Sequence, residues 1–154
     1  MTQSVVVFFD LGDTLVSADV SPTGAFLGVT VFPFVLEAMD RLKQLAVEPA
    51  TIRFGAISNT TPEIVDTLRT CLQQNGLLDR FDPDLVLFSS VEGVNKSQTE
   101  IFGRAAQRAN MPPACCLFVG EDAAERDVAA QAQFQTSFHI LHAFHIVQRM
   151  LDGG

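Results

Sequence analysis

Five short apolar runs recur along the chain: Val5–Phe9, Ile52–Ile57, Leu85–Phe88, Cys115–Val119 and Thr136–Leu141. Most are near-continuous rather than alternating, the pattern of parallel strands covered on both faces. A helical pattern fills each gap. Pro33 can open the first helix, with Val35, Met39, Leu42 and Leu45 as its apolar stripe. The second pairs Thr60 with Glu63 as a capping box, sets Ile64, Val65, Leu68 and Leu72 on one side, and ends at Asn75-Gly76. The third pairs Ser97 with Glu100 and carries Ile101, Phe102, Ala105 and Ala109. A fourth spans roughly 123–133, and a C-terminal helix carries Phe144, Val147 and Leu151. Strand and helix therefore alternate throughout. That predicts an α/β fold: a doubly wound, mostly parallel, five-stranded Rossmann-like sheet with helices on both faces. Residues 17–32 lack a helical pattern; "SADVSPTG" reads as loop, and "AFLGVTVF" as a small hairpin or flap.

A chain of 154 residues suits one domain, 1–154, around one core, and 47% apolar content argues for a well-buried globule. No apolar run reaches the ~18 residues of a membrane helix, so no membrane partner is expected. No basic leader precedes the first run, so no signal peptide is expected. The net charge of −8 disfavours nucleic acid as a partner, since that needs clustered Lys and Arg, but leaves room for a local basic pocket. Cys71, Cys115 and Cys116 are odd in number and lack metal-ligand spacing. They read as reduced thiols, and the expected location is cytoplasmic.

In open α/β sheets ligands bind beyond the carboxyl ends of the strands, so the residues just after each run matter most. The first run ends in Asp10, within "FFDLGDTLV". The second ends in Ser58-Asn59-Thr60. The third leads into "SSVEGVNKS", with Lys96 before a helix. The fourth ends in "VGEDAAERD". Carboxylates, a hydroxyl and an ammonium at one sheet edge suit a phosphate with a divalent metal. Carboxylates hold Mg²⁺, the ammonium balances phosphate charge, and hydroxyl and N–H groups bond its oxygens.

This order of motifs, D-x-x-x-T after strand one, Ser-Asn after strand two, then "GVNKSQTEIF" and "FVGEDAAERDVAA", resembles the haloacid dehalogenase-like (HAD) hydrolase superfamily from Val5 to about Phe134. The resemblance implies a Mg²⁺-dependent phosphohydrolase acting on a phosphomonoester. Asp10 takes the position of the nucleophile that forms an aspartyl-phosphate. Thr14 matches the loop-supporting threonine. Ser58, with Asn59 following, takes the phosphate-binding position, and Lys96 that of the lysine steadying nucleophile and phosphate. The metal set implied is Asp10, the Gly12 carbonyl, and acids drawn from Glu121, Asp122 and Asp127. Relatives usually show Gly-Asp, four residues, then Asp. Here Asp122 and Asp127 keep that internal spacing, but Glu121 sits directly after Gly120. Asp122 is preferred, with Glu121 second.

One departure bears on turnover. Phosphatases of the family usually carry a second aspartate two residues after the nucleophile, as acid and then base. That position is Gly12, and the acid stands one place later, at Asp13. Either Asp13 substitutes, since glycine lets the chain redirect, or the chain is a slow phosphatase, or a catalytically impaired binding or regulatory module. Residues 15–57 and 59–95 already supply a flap, helices and strands, leaving no room for a cap domain. In relatives a capless site accepts large substrates or borrows a lid from a neighbouring subunit, which admits a homo-oligomer. The implied partner is a phosphorylated small molecule or macromolecule.

Other site chemistries fit less well. His139, His142 and His145 lie three apart, but no Cys or acid nearby completes a zinc site, so they read as surface or packing residues. A phosphorylated receiver domain would need an aspartate after strand three, where Ser89-Ser90 stands. No Gly-rich nucleotide loop is present.

Overall fold

A computed structural model describes residues 3–153. Strands β1 (Val5–Phe9), β4 (Ile52–Ser58), β5 (Val86–Phe88), β6 (Cys116–Val119) and β7 (Gln135–Ser137) form one parallel sheet in the order β5-β4-β1-β6-β7. A separate antiparallel hairpin joins β2 (Val16–Val20) to β3 (Phe26–Val31). The helices are α1 (Val35–Lys43), α2 (Val65–Gln74), α3 (Ser89–Glu92), α4 (Thr99–Ala109), α5 (Ala123–Gln131) and α6 (Ile140–Leu151).

The strand burial explains the continuous apolar runs. Every residue of β1, β5 and β6 is buried, as it must be with helices on both faces. Alternation splits β1 between two cores. Val5, Val7 and Phe9 join α1, α2 and α6 on one face, while Val6 and Phe8 join α4 and α5 on the other. Gly55 in β4 permits close packing: an added Cβ would lie 2.5 Å from the Leu85 carbonyl oxygen and 2.7 Å from the Phe8 ring.

The chain departs from the sequence-level expectations at four places. All of "SADV" is strand rather than loop, because β2 pairs with β3 from Val16↔Val31 to Val20↔Phe26. The Thr60–Glu63 capping box does not form: Thr60 Oγ1 lies 2.7 Å from Ser90 Oγ, tying the end of β4 to α3. Nor does the Ser97–Glu100 box, since Ser97 bonds Asn95 and α4 begins after Gln98. The fifth run breaks after Ser137, because His139 Nδ1 accepts the Leu141 N–H (3.1 Å) and starts α6.

His142 Nδ1 lies 2.9 Å from Ser137 Oγ, and its ring stacks on Phe138. All three cysteines are free thiols, and burial pushes that of Cys116 up to about 12. Among the described residues no helix is long and apolar enough to cross a membrane.

Candidate active site

The strand order reverses at β1, whose neighbours β4 and β6 continue to opposite edges of the sheet. That is a topological switch point, where such sheets open a crevice at their carboxyl ends. Asp10 is the first residue beyond β1, and its N–H donates to the Val119 carbonyl (2.8 Å). The nucleophile candidate is thus pinned to the middle of the sheet edge.

Asp10 is 7% exposed and Lys96 2%. Burial of that ammonium requires partners. Lys96 Nζ donates to Asp10 Oδ1 at 2.5 Å and lies 2.8 Å from Glu125 Oε1. The Phe118 ring lies beneath it, 5.9 Å away. The Leu11 N–H also donates to Asp10 Oδ1 (2.8 Å), whereas among the described residues Oδ2 has only a long contact of 3.4 Å from Thr14 Oγ1. Asn59 Oδ1 accepts the Lys96 N–H (3.0 Å), so the loop after β4 holds the loop that carries the lysine.

Thr14 is buried and accepts the Glu121 N–H on its own hydroxyl (3.2 Å). It fastens the β1 loop to the β6 loop and does not line the cleft. Its hydroxyl thus ties two loops together, the kind of placement that the loop-supporting position calls for. Ser58 ends β4, is buried, and lines the cleft with Asn59. Gly12 and Asp13 line it too. Asp13 has φ +60°, a left-handed conformation that aspartate tolerates, and its N–H donates to the Val16 carbonyl (2.7 Å). Its carboxylate is not used as a turn cap among the described residues.

Asp122 and Asp127, the acids preferred as metal ligands, are not brought into the cleft. Asp122 is the N-cap of α5, accepting the Glu125 N–H (3.1 Å), and Asp127 is exposed on that helix outside the cleft. Glu121 and Glu125 line the cleft instead. Glu125 was missed at the sequence level. A signal was present: Asp-Ala-Ala-Glu at 122–125 resembles a capping box, and assigning Asp122 to the cap leaves acids four apart, at 121 and 125.

Burial pushes the Glu125 carboxyl above its ordinary range; the Lys96 ammonium opposes that shift, and Asp10 and Asp122 add to it. Its Oε1 is buried, with the Lys96 ammonium 2.8 Å away. Asp10, the Gly12 carbonyl, Glu121 and Glu125 make an all-oxygen donor set, which fits a hard cation such as Mg²⁺. The set is not drawn together: among the described residues no three His, Cys, Asp or Glu side chains are grouped closely enough to hold a metal. The cleft encloses about 310 Å³.

No protein-family model and no curated protein matches the chain. Solved structures do. A HAD-superfamily hydrolase of subfamily IA, variant 1, from Geobacter sulfurreducens aligns at TM-score 0.69 and 14% identity, over 95% of this chain and 97% of that one. A HAD phosphatase from Thermococcus onnurineus aligns at TM-score 0.66 and 14% identity, over 86% of this chain and 84% of that one. A HAD-family enzyme from Bacteroides thetaiotaomicron, in complex with magnesium and inorganic phosphate, aligns at TM-score 0.62 and 13% identity, over 87% and 93% of the two chains. The chain thus has the fold of these HAD-superfamily hydrolases, with no cap domain among the described residues. At these identities the likeness is one of fold.

Proposed function

We propose that this protein is a Mg²⁺-dependent phosphohydrolase that cleaves a phosphomonoester through an aspartyl-phosphate on Asp10. The observation that carries the reading is the buried Asp10–Lys96–Glu125 cluster at the switch point of the sheet. A buried lysine shared by two carboxylates beside an open cleft is expensive as mere structure, but suits a site that must receive a phosphoryl dianion. The magnesium and phosphate held by the Bacteroides protein of the same fold support the same chemistry.

Asp10, the Gly12 carbonyl, Glu121 and Glu125 would hold the Mg²⁺, which when bound offsets the charge of the phosphate oxygens. Ser58 Oγ and the N–H groups after it orient the phosphate, and Lys96 balances its charge. Asp10 Oδ2, the less bonded oxygen, attacks phosphorus in line. An O–P bond forms as the ester P–O bond breaks, and the departing alkoxide takes its proton from the Asp13 carboxylic acid. Asp13, now a carboxylate, removes a proton from water as that water attacks the aspartyl-phosphate. Phosphate leaves and Asp10 is restored.

A second reading, a binding or regulatory module, is favoured by one observation: the usual acid position is Gly12, which has no side chain. Hydrolysis of p-nitrophenyl phosphate with Mg²⁺ and with chelator separates the two. Activity should need Mg²⁺ and vanish in Asp10→Asn. In Asp13→Asn it should fall by ~10²–10⁴. Full activity in Asp10→Asn overturns the mechanism. No turnover, with Mg²⁺-dependent beryllofluoride binding that Asp10→Asn abolishes, favours the module.

A further inference from the structure

The cleft is lined by two unlike sets of side chains. Asp10, Asp13, Ser58, Asn59, Lys96, Glu121 and Glu125 are charged or polar. The hairpin and α2 with the turn before it contribute Val16, Ala18, Phe26, Val29, Ile64 and Leu68. None of those six side chains can donate or accept a hydrogen bond.

The hairpin's geometry sorts its residues. Its polar members Ser17, Asp19 and Thr30 are absent from the lining, and Thr30 Oγ1 donates to Asp19 Oδ2 (3.0 Å) on the exposed side. A register shift at Asp19/Val20 pairs Val20 with Phe26 and Asp19 with Gly28, leaving Leu27 unpaired. Strict alternation from Val29 would turn Leu27 toward the cleft and Phe26 away. The bulge reverses this: Phe26 lines the cleft, while Leu27 is 62% exposed. An aromatic ring thus joins the charged groups in lining a cleft of about 310 Å³, at the small end of ligand pockets.

We infer that the organic part of the substrate is a small apolar group, of about the size of a benzyl or branched alkyl chain, seated on Phe26, Val29, Ile64 and Leu68. This rests on the phosphohydrolase reading for the phosphate end. A sugar or glycerol moiety would press its hydroxyls on carbon-only side chains and lose their hydrogen bonds to water. An apolar group removes its own surface and that of the wall from water together.

The test compares benzylphosphonate with methylphosphonate by titration calorimetry in Mg²⁺. Wild type should bind the benzyl compound at least about tenfold more tightly, by burial of apolar area. Phe26→Ser and Val29→Thr should each erase most of that ratio, and Leu27→Ser should keep it. Val29→Thr is nearly isosteric and guards against a folding defect in Phe26→Ser. Equal binding of the two phosphonates, or a ratio unchanged in both cleft variants, overturns the inference. Turnover of cyclohexylmethyl phosphate and glycerol 3-phosphate, whose leaving alcohols are similar, separates the two levels. An apolar preference in kcat/KM supports the inference. Equal turnover of both sinks it and leaves the phosphohydrolase reading standing. Turnover of neither, with the phosphonate preference intact, sinks that reading and leaves the apolar subsite.

Discussion

Gly120 has no side chain because none fits: an added Cβ would lie 2.8 Å from the Phe118 ring and 3.4 Å from Asp10 Cβ. The Phe118 ring is itself buried beneath Lys96. Gly120→Ala should therefore destabilise the fold by about 1–3 kcal/mol, the usual range for overpacking. It should also lower the proposed phosphatase activity by up to about 10²-fold, since a shift of even 1 Å in Asp10 would spoil the in-line geometry proposed for it. A urea melt and a rate measurement on one preparation check both effects. Asp10, Ser58 and Lys96 were legible in the sequence because each follows or borders a recognisable run. Asp122 and Glu125 were not, because spacing alone cannot tell a helix cap from a site residue. The cap is decided by where the α5 N–H groups point.

At the scale of elements, α3 and the loop after it carry Lys96 and are clasped to α4. Arg108 Nη1 donates to Glu92 Oε2 (2.9 Å), and Arg104 Nη1 donates to the Glu92 carbonyl (2.7 Å). Arg108, with help from Arg104 and against burial, holds the Glu92 carboxyl below its usual range. A depressed acid stabilises the fold above its unfolded pKa, and that contribution disappears as pH falls through the folded value. Glu92→Gln should thus cost about 1–2 kcal/mol at pH 7, because hydrogen bonds to a charged group are lost. The gap to wild type should begin to narrow as pH falls below the ordinary glutamate value of about 4.3, and close further as pH falls through the lowered folded value, where the wild-type carboxyl is protonated as well. Denaturant melts at pH 7 and pH 3.5 measure this; a gap that widens in acid contradicts it. The hairpin is the element that the sequence showed least clearly. Ser17 and Asp19 make β2 look like loop, and only pairing with β3 turns those residues into strand.

For the molecule as a whole, charge is the governing quantity. The net charge is −8, and Asp10, Asp13, Glu121 and Glu125 all line a cleft whose lining includes one ammonium, Lys96. A bound divalent cation would relieve that repulsion and stabilise the fold by mass action, about 2.7 kcal/mol at a hundredfold excess over Kd. Adding Mg²⁺ should raise the Tm by several degrees, beyond NaCl of equal ionic strength. Chelator should reverse the rise, and the double variant Glu121→Gln/Glu125→Gln should abolish it. An equal rise in NaCl would mean general screening rather than a site.

The order of strands and helices, the parallel sheet, and the placing of Asp10, Ser58 and Lys96 at its carboxyl edge follow from the sequence. Apolar periodicity sets the elements, and chain order sets which side of the sheet each loop leaves. Only the tertiary structure decided two further matters. Glu125 rather than Asp127 enters the cleft, and Phe26 rather than Leu27 lines it. Each depends on helix phase, a cap or a bulge. These are displacements of a single residue that periodicity does not register but that turn a side chain from one surface to another.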